Sequence, residues 1–221
     1  IMLRISLFLA VLFSVLALNL SAQINKPLKQ KIDSMIKLDR EIRISLNQLR
    51  SEYYKTEKKH RLKSQRYKSL QDQVLKDQSL ELEYLFKYDS ISSELARIDN
   101  SNRIEFLKIL NQYGYPGKKL VGHYDIDLIL YHSNFLWLKQ QFPKLKEEVK
   151  KGNLRAITLA NAYDKFSNIE GEGFLYHTLF LVDQSNKLSQ TVPEDLEKTN
   201  HARKELGLKP IKLKKNGKRK N

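Results

Sequence analysis

Asp39 and His132 stand where helical spacing calls for apolar side chains. Asp39 falls four residues after Met35 and three before Ile42, on a stripe that otherwise reads Leu28, Ile32, Met35, Ile42, Leu46, Leu49 and Tyr53. A carboxylate on a buried face is costly unless it is paired and hydrogen-bonded. Arg43, four residues on, has the spacing at which an acid and a base meet on one helix face. His132 has Leu128 and Ile129 one turn before it and Phe135 and Leu136 one turn after, so its imidazole points into an apolar seam. Asp125, seven residues earlier, is about 10 Å away along a regular helix and out of reach, so the partner of His132 comes from another segment. Asp164 is the expected partner. It shares a face with Ile157, Ala160 and Asn161, in what reads as a last helical turn, where the macrodipole disfavours an anion. A neighbour has to compensate it, either Lys165 or the phenol of Tyr176.

Gathered in one cleft, Asp39, Arg43, His132, Asp164 and Tyr176 have the composition of a general acid–base site. The imidazole would move the proton, the carboxylates would orient it and the guanidinium would hold an anionic group. That is the alternative reading, a divergent enzyme. The preferred one is a non-catalytic binding or structural module in which these residues join helices. Other chemistry is excluded by composition: with no Cys there is no thiol nucleophile, disulfide, Cys-ligated zinc or iron–sulfur cluster. There is no phosphate-cradling Gly loop and no Gly-x-Ser-x-Gly elbow. His123, Asp125 and Asp127 are read as a capped helix start rather than a metal site, and no metal or cofactor is expected.

The elements that would position these residues are helical. No Pro or Gly occurs between Leu28 and Tyr113, which predicts one or two long helices up to about Arg97, jointed near the charged stretch Lys55 to Lys68. Asp99-Asn100-Ser101-Asn102 reads as a break, with Asn102 capping a helix from Ile104 to Tyr113 that Gly114 and Pro116 stop. Further helices are expected over Tyr124 to Gln141 (closed by Pro143), Lys144 to Lys151, Leu154 to Phe166 and Asp195 to Glu205. Leu175 to Val182 and Lys187 to Val192 flank Asp183-Gln184-Ser185-Asn186 and read as a β-hairpin. The fold expected is therefore mainly α: a small bundle with a long N-terminal helix or helical hairpin and one short β-hairpin near the C-terminus. Its regions are a leader at 1–22, a coiled-coil-like stretch at 23–98, a helical domain at 99–208 and a basic tail at 209–221.

Residues 1–22 carry a short basic start, an apolar run from Ile5 to Leu18 and Ser21-Ala22-Gln23, the pattern of a cleavable secretory leader. The run is shorter than the roughly 20 apolar residues of a membrane span. The expected location is periplasmic or extracellular. The net charge of +15 is unevenly spread. Lys26 to Lys68 holds 14 basic and 5 acidic residues, Ser69 to Leu208 holds 18 and 20, and Lys209 to Asn221 holds 7 and none. A nearly neutral body with basic arms suits an acidic protein or an anionic envelope surface, reached through helix 26–68, more than a nucleic acid. Peripheral membrane contact fits the same charge, and the heptad-like stripe would serve self-association.

The order of landmarks resembles an uncharacterised, mostly bacterial family known only as domain of unknown function sixty-six twenty-four. The early pair matches Asp39 and Arg43, and the next block matches Asp99, Asn102, Gly114-Tyr115-Pro116 and Val121-Gly122. His132 matches the family's His, Ala160 to Asp164 its Ala-x-x-x-Asp, Tyr176 and Thr178 part of its Gln-x-Tyr-Gly-Thr-Gln, and Arg203 with Gly207-Leu208-Lys209-Pro210 its closing motif. Tyr131, Lys165, Phe174, His177 and Leu179 replace the family's Gln, Arg, Gln, Gly and Gln. The resemblance implies a mainly helical secreted domain, here a divergent member, and supplies no activity.

Overall fold

A computed structural model describes residues 24–64, 70–182 and 188–213. The expected leader, part of the expected joint near Lys55 to Lys68, and the end of the basic tail lie outside the described residues. The chain is mainly helical. Helix α1 spans Lys26–Ser64 and α2 spans Leu70–Tyr113. They run antiparallel: Lys31 meets Glu105, Arg43 meets Asp99, Arg50 meets Tyr88 and the ring of Tyr53 stacks on that of Tyr84. Asn25 sets the start of α1, its side chain accepting from Leu28 N at 3.0 Å while its own N–H donates to Leu120 O at 2.9 Å.

The break expected at Asp99 to Asn102 is absent, because α2 runs through it. Asn and Asp disfavour helix interiors through local competition for backbone donors. Here Asp99 is occupied instead by Arg43 of α1, and Ile98 and Asn102 are buried. Helix propensity yields to packing. The boundary drawn between 98 and 99 therefore falls inside a continuous helix.

Shorter helices close the body: α3 at Lys118–Val121, α4 at Asp127–His132, α5 at Phe135–Lys150, α6 at Ala156–Ile169 and α7 at Leu196–Glu205. The single helix expected over Tyr124 to Gln141 is two. Asn134 turns extended and its side chain accepts from Trp137 N at 2.8 Å, starting α5 afresh, while Ser133 Oγ donates to Leu130 O at 2.8 Å. Pro143, expected to end a helix, lies inside α5. Its ring removes one backbone hydrogen bond, but Leu138 and Leu145 on either side are fully buried and hold both halves of α5 against the core. Gly114 ends α2 with a left-handed φ of 78°, and Gly117 lies where an added Cβ would stand 2.5 Å from the Asn153 carbonyl.

The expected β-hairpin is not supported. Leu175 to Leu179 are irregular, and all that is left of it is a three-residue pairing of β1 (Phe180–Val182) with β2 (Leu188–Gln190), which adds nothing to the core. The segment is claimed by a buried carboxylate, described below.

Leu28, Ile32, Met35 and Leu46 of the α1 stripe are buried within this chain, beside core residues such as Phe106, Leu110, Leu130 and Leu159. The first part of the stripe thus packs inside the molecule, while Ile42, Leu49 and Tyr53 are half-buried. Between Leu46 and Ile98 no described residue is fully buried, so that part of the α1/α2 hairpin is an arm of two helices with only a half-covered seam. Among the described residues no helix is long and apolar enough to cross a membrane.

Candidate functional site

Asp39 is fully buried on α1, and His132, the last residue of α4, reaches it. His132 Nδ1 lies 2.9 Å from Asp39 Oδ1 and 2.8 Å from Oδ2. An ionised carboxylate only accepts, so Nδ1 carries the proton and Nε2 is left as the ring's acceptor in the neutral form. Arg43, one turn along α1, donates from Nε to Asp39 Oδ1 at 3.3 Å and from Nη2 to Asp99 Oδ1 at 2.6 Å. The guanidinium fork thereby ties α1 to α2, and His132 ties α4 to the same carboxylate. Side-chain exposure is 0% for Asp39, 17% for Asp99, 21% for His132 and 28% for Arg43, so the network has a dry acid at its base and a wetter rim.

The charges are matched unequally. Burial would raise the Asp39 pKa, but His132 and Arg43 outweigh it and hold the carboxyl below its usual range. Asp99 goes the other way: burial, only partly offset by Arg43 and reinforced by the charge of Asp39, lifts it above its usual value. Lys165 of α6 stands at the edge of the network. Its ammonium is disfavoured by burial and by Arg43, with Asp99 opposing, and it donates to Tyr131 O at 2.5 Å.

Asp164 is elsewhere in the structure's bonding. It too is fully buried, but its partners are the loop after α6: Leu175 N at 2.9 Å and Tyr176 N at 2.7 Å on Oδ1, with Thr178 N at 2.7 Å and Thr178 Oγ1 at 2.8 Å on Oδ2. Neither expected compensator serves it. Lys165 points to Tyr131, and the Tyr176 phenol is buried among aromatic rings, where desolvation pushes its pKa far up. Nor is Asp164 in the last turn, since α6 continues to Ile169. His132 is bonded to Asp39 and not to Asp164.

The five expected residues therefore divide. Asp39, Arg43 and His132 come together, joined by Asp99 and Lys165, which sequence reasoning assigned to a helix break and to Asp164. Asp164 and Tyr176 belong to a second, structural joint. Two more buried carboxylates were missed as such. Asp127, expected as a cap, accepts from Tyr115 Oη at 2.5 Å, Arg155 Nη2 at 2.6 Å and Thr158 Oγ1 at 3.0 Å. Glu148 accepts from Tyr115 N at 2.9 Å, Asn153 Nδ2 at 2.9 Å and Lys151 Nζ at 2.8 Å. Around the start of α4, His123 bonds to Asp33 and accepts from Asp125 N, Asp125 bonds to Arg40, and Asp127 points inward. The only advance signal for Asp127 and Glu148 was an acid beside core Leu and Ile, which many surface helices also show.

A cleft of about 640 Å³ opens between the end of α6, the loop after it and the start of α7, and its lining includes none of Asp39, Arg43, Asp99 or His132. Comparison of the chain with family models, with curated proteins and with solved structures finds no match in any of the three.

Proposed function

We propose that this chain is an exported, non-catalytic helical module that docks through its two-helix arm on an anionic surface of the envelope. In this reading the Asp39–Arg43–His132–Asp99 network is the joint that sets the arm on the body. One observation carries it: no described residue between Leu46 and Ile98 is fully buried, yet Tyr54, Leu82, Leu85 and Phe86 are exposed there, Phe86 by 75%. Exposed apolar side chains, together with the basic run Lys55 to Lys68 of the sequence, combine the two attractions that hold a peripheral segment on an anionic membrane. The leader-like residues 1–22 and the resemblance to a secreted helical family support export.

Deleting all of 26–68 would remove buried Leu28, Ile32 and Met35 and destroy the body. The proper test joins Arg50 to Tyr88, which already touch, through a short loop, leaving the joint intact. The full chain is expected to co-sediment with vesicles containing phosphatidylglycerol and not with neutral phosphatidylcholine, and the shortened chain to stay in solution while keeping its helical circular dichroism. Equal sedimentation of the two chains would sink the proposal.

The second reading, a general acid–base enzyme, is favoured by the Asp39–His132 contact, the arrangement in which a carboxylate fixes the imidazole tautomer. Against it, the expected fourth and fifth members of the site are structural and face elsewhere.

A further inference from the structure

The loop from Gly173 to Thr178 is fixed more firmly than a surface connection requires. Asp164 takes three of its backbone N–H groups, Ser167 Oγ donates to Gly173 O at 2.6 Å, and Arg203 Nη1 donates to Tyr176 O at 2.6 Å. This bracing holds His177 at φ 49°, the one non-Gly residue with positive φ among those described. A side chain held there costs about 1 kcal/mol or more and persists where the surroundings over-determine it, as they do at ligand sites. His177 is also buried and lines the 640 Å³ cleft, whose volume falls within the range of small-molecule sites, about 300–1,000 Å³.

The chemistry of the walls limits the occupant. Phe174 and Tyr163 give the cleft aromatic faces, with the Phe174 ring 5.8 Å from that of His177. On the rim, Glu172, Glu194 and Asp195 outnumber Lys198, which disfavours phosphates and carboxylates as ligands. Acceptors are fixed rather than loose: Glu172 is held by Lys139 at 2.6 Å and Asp195 accepts from Lys198 N at 2.8 Å. Aromatic faces that accept the C–H side of a ring, with fixed acceptors and a few donors around it, match a hydroxyl-rich ring.

We propose that this cleft binds an uncharged saccharide, one ring lying on Phe174 and its hydroxyls bonded to His177 and the carboxylate rim. The site is independent of the arm and of the docking reading. The test follows the imidazole resonances of the full chain by NMR, with His177→Gln identifying the signal among five His. Cellobiose and N,N′-diacetylchitobiose, each up to about 10 mM, cover the weak affinities of single-ring sites. The expected result is a saturable shift of the His177 signal with at least one disaccharide, weakened at least tenfold in Phe174→Ala and in the exposed-rim variant Glu194→Gln, and no shift with inorganic phosphate. Glu194→Gln keeps the test decisive should Phe174→Ala fail to fold. Silence with both sugars, an equal response to phosphate, or binding undiminished in a folded variant overturns the proposal.

Discussion

Asp39 and Asp164 are both fully buried carboxylates, and their surroundings solve the same problem in opposite ways. Asp164 is satisfied by three backbone N–H groups and a hydroxyl from residues 11 to 14 further along the chain. Asp39 is met by side chains alone, Arg43 and His132, both partly exposed, and both hydrogen bonds fall on Oδ1. Backbone donors cannot move away or titrate, so the first arrangement fixes a loop. Side-chain donors can swing away by rotamer changes, so the second makes a joint rather than a fixed loop. The contrast explains why only one of the two has any claim to chemistry or control.

The largest effect is expected at the first. Asp164→Ala strands four donors that fold the loop under α6, each unmade bond to a buried group costing about 1–3 kcal/mol with partial recovery by water. A loss of about 4 kcal/mol is expected, a large share of the 5–15 kcal/mol that holds a domain together. Urea unfolding followed by circular dichroism measures it. The aromatic cluster of Tyr163, Tyr176 and Phe142 should lose its near-ultraviolet signal at the same midpoint. A variant within 1 kcal/mol of the parent would show that the loop holds itself and that the contrast with Asp39 is false.

Asp39→Asn comes next. It leaves Arg43 its bond to Asp99 and His132 a partly exposed edge, so the cost is smaller, about 2 kcal/mol near neutral pH, below the 3–5 kcal/mol of a fully buried broken pair. The sign with pH follows from the lowered folded-state pKa of Asp39. Its stabilisation is complete above the unfolded value of about 3.9 and is lost as pH falls through the folded one. The gap between parent and variant should therefore close below about pH 4. Asp99, whose folded pKa is raised, contributes in the reverse sense, so Asp99→Asn should cost less than Asp39→Asn at pH 7. Denaturation midpoints between about pH 3 and 7 read both, and a larger loss in the Asp99 variant would reverse the assignment of base and rim.

The same two regions mark how far the sequence can be read. The α1 stripe, the pairing of Asp39 with Arg43 and the inward face of His132 followed from helical period, because those contacts lie within one or two turns. The partner of His132 did not, because the fold brings α4 to α1 across 93 residues. Asp99 was hidden by its own propensity: in Asp-Asn-Ser-Asn it reads as part of a helix break, and only a guanidinium from another helix makes it a helix interior. The hairpin was misjudged for the matching reason. Leu175 to Val182 is rich in β-formers, but the Asp164 carboxylate takes the N–H groups that a strand ladder would need. Composition cannot show which donor a distant carboxylate will claim.

The smallest effect separates strain from support within the Asp164 loop. His177 occupies a left-handed backbone position that glycine adopts freely and a β-branched side chain does not. His177→Gly relieves that strain while adding freedom to the unfolded chain, and the two nearly cancel, so stability should stay within about 1 kcal/mol of the parent. His177→Val meets the same backbone with a side chain that resists it and should lose about 1–2 kcal/mol. Comparing the two midpoints isolates backbone strain from the loss of imidazole, since both variants lack the ring. If Gly and Val prove equally destabilising, the imidazole's own contacts hold the loop, and the four donors on Asp164 are the consequence of that conformation rather than its cause.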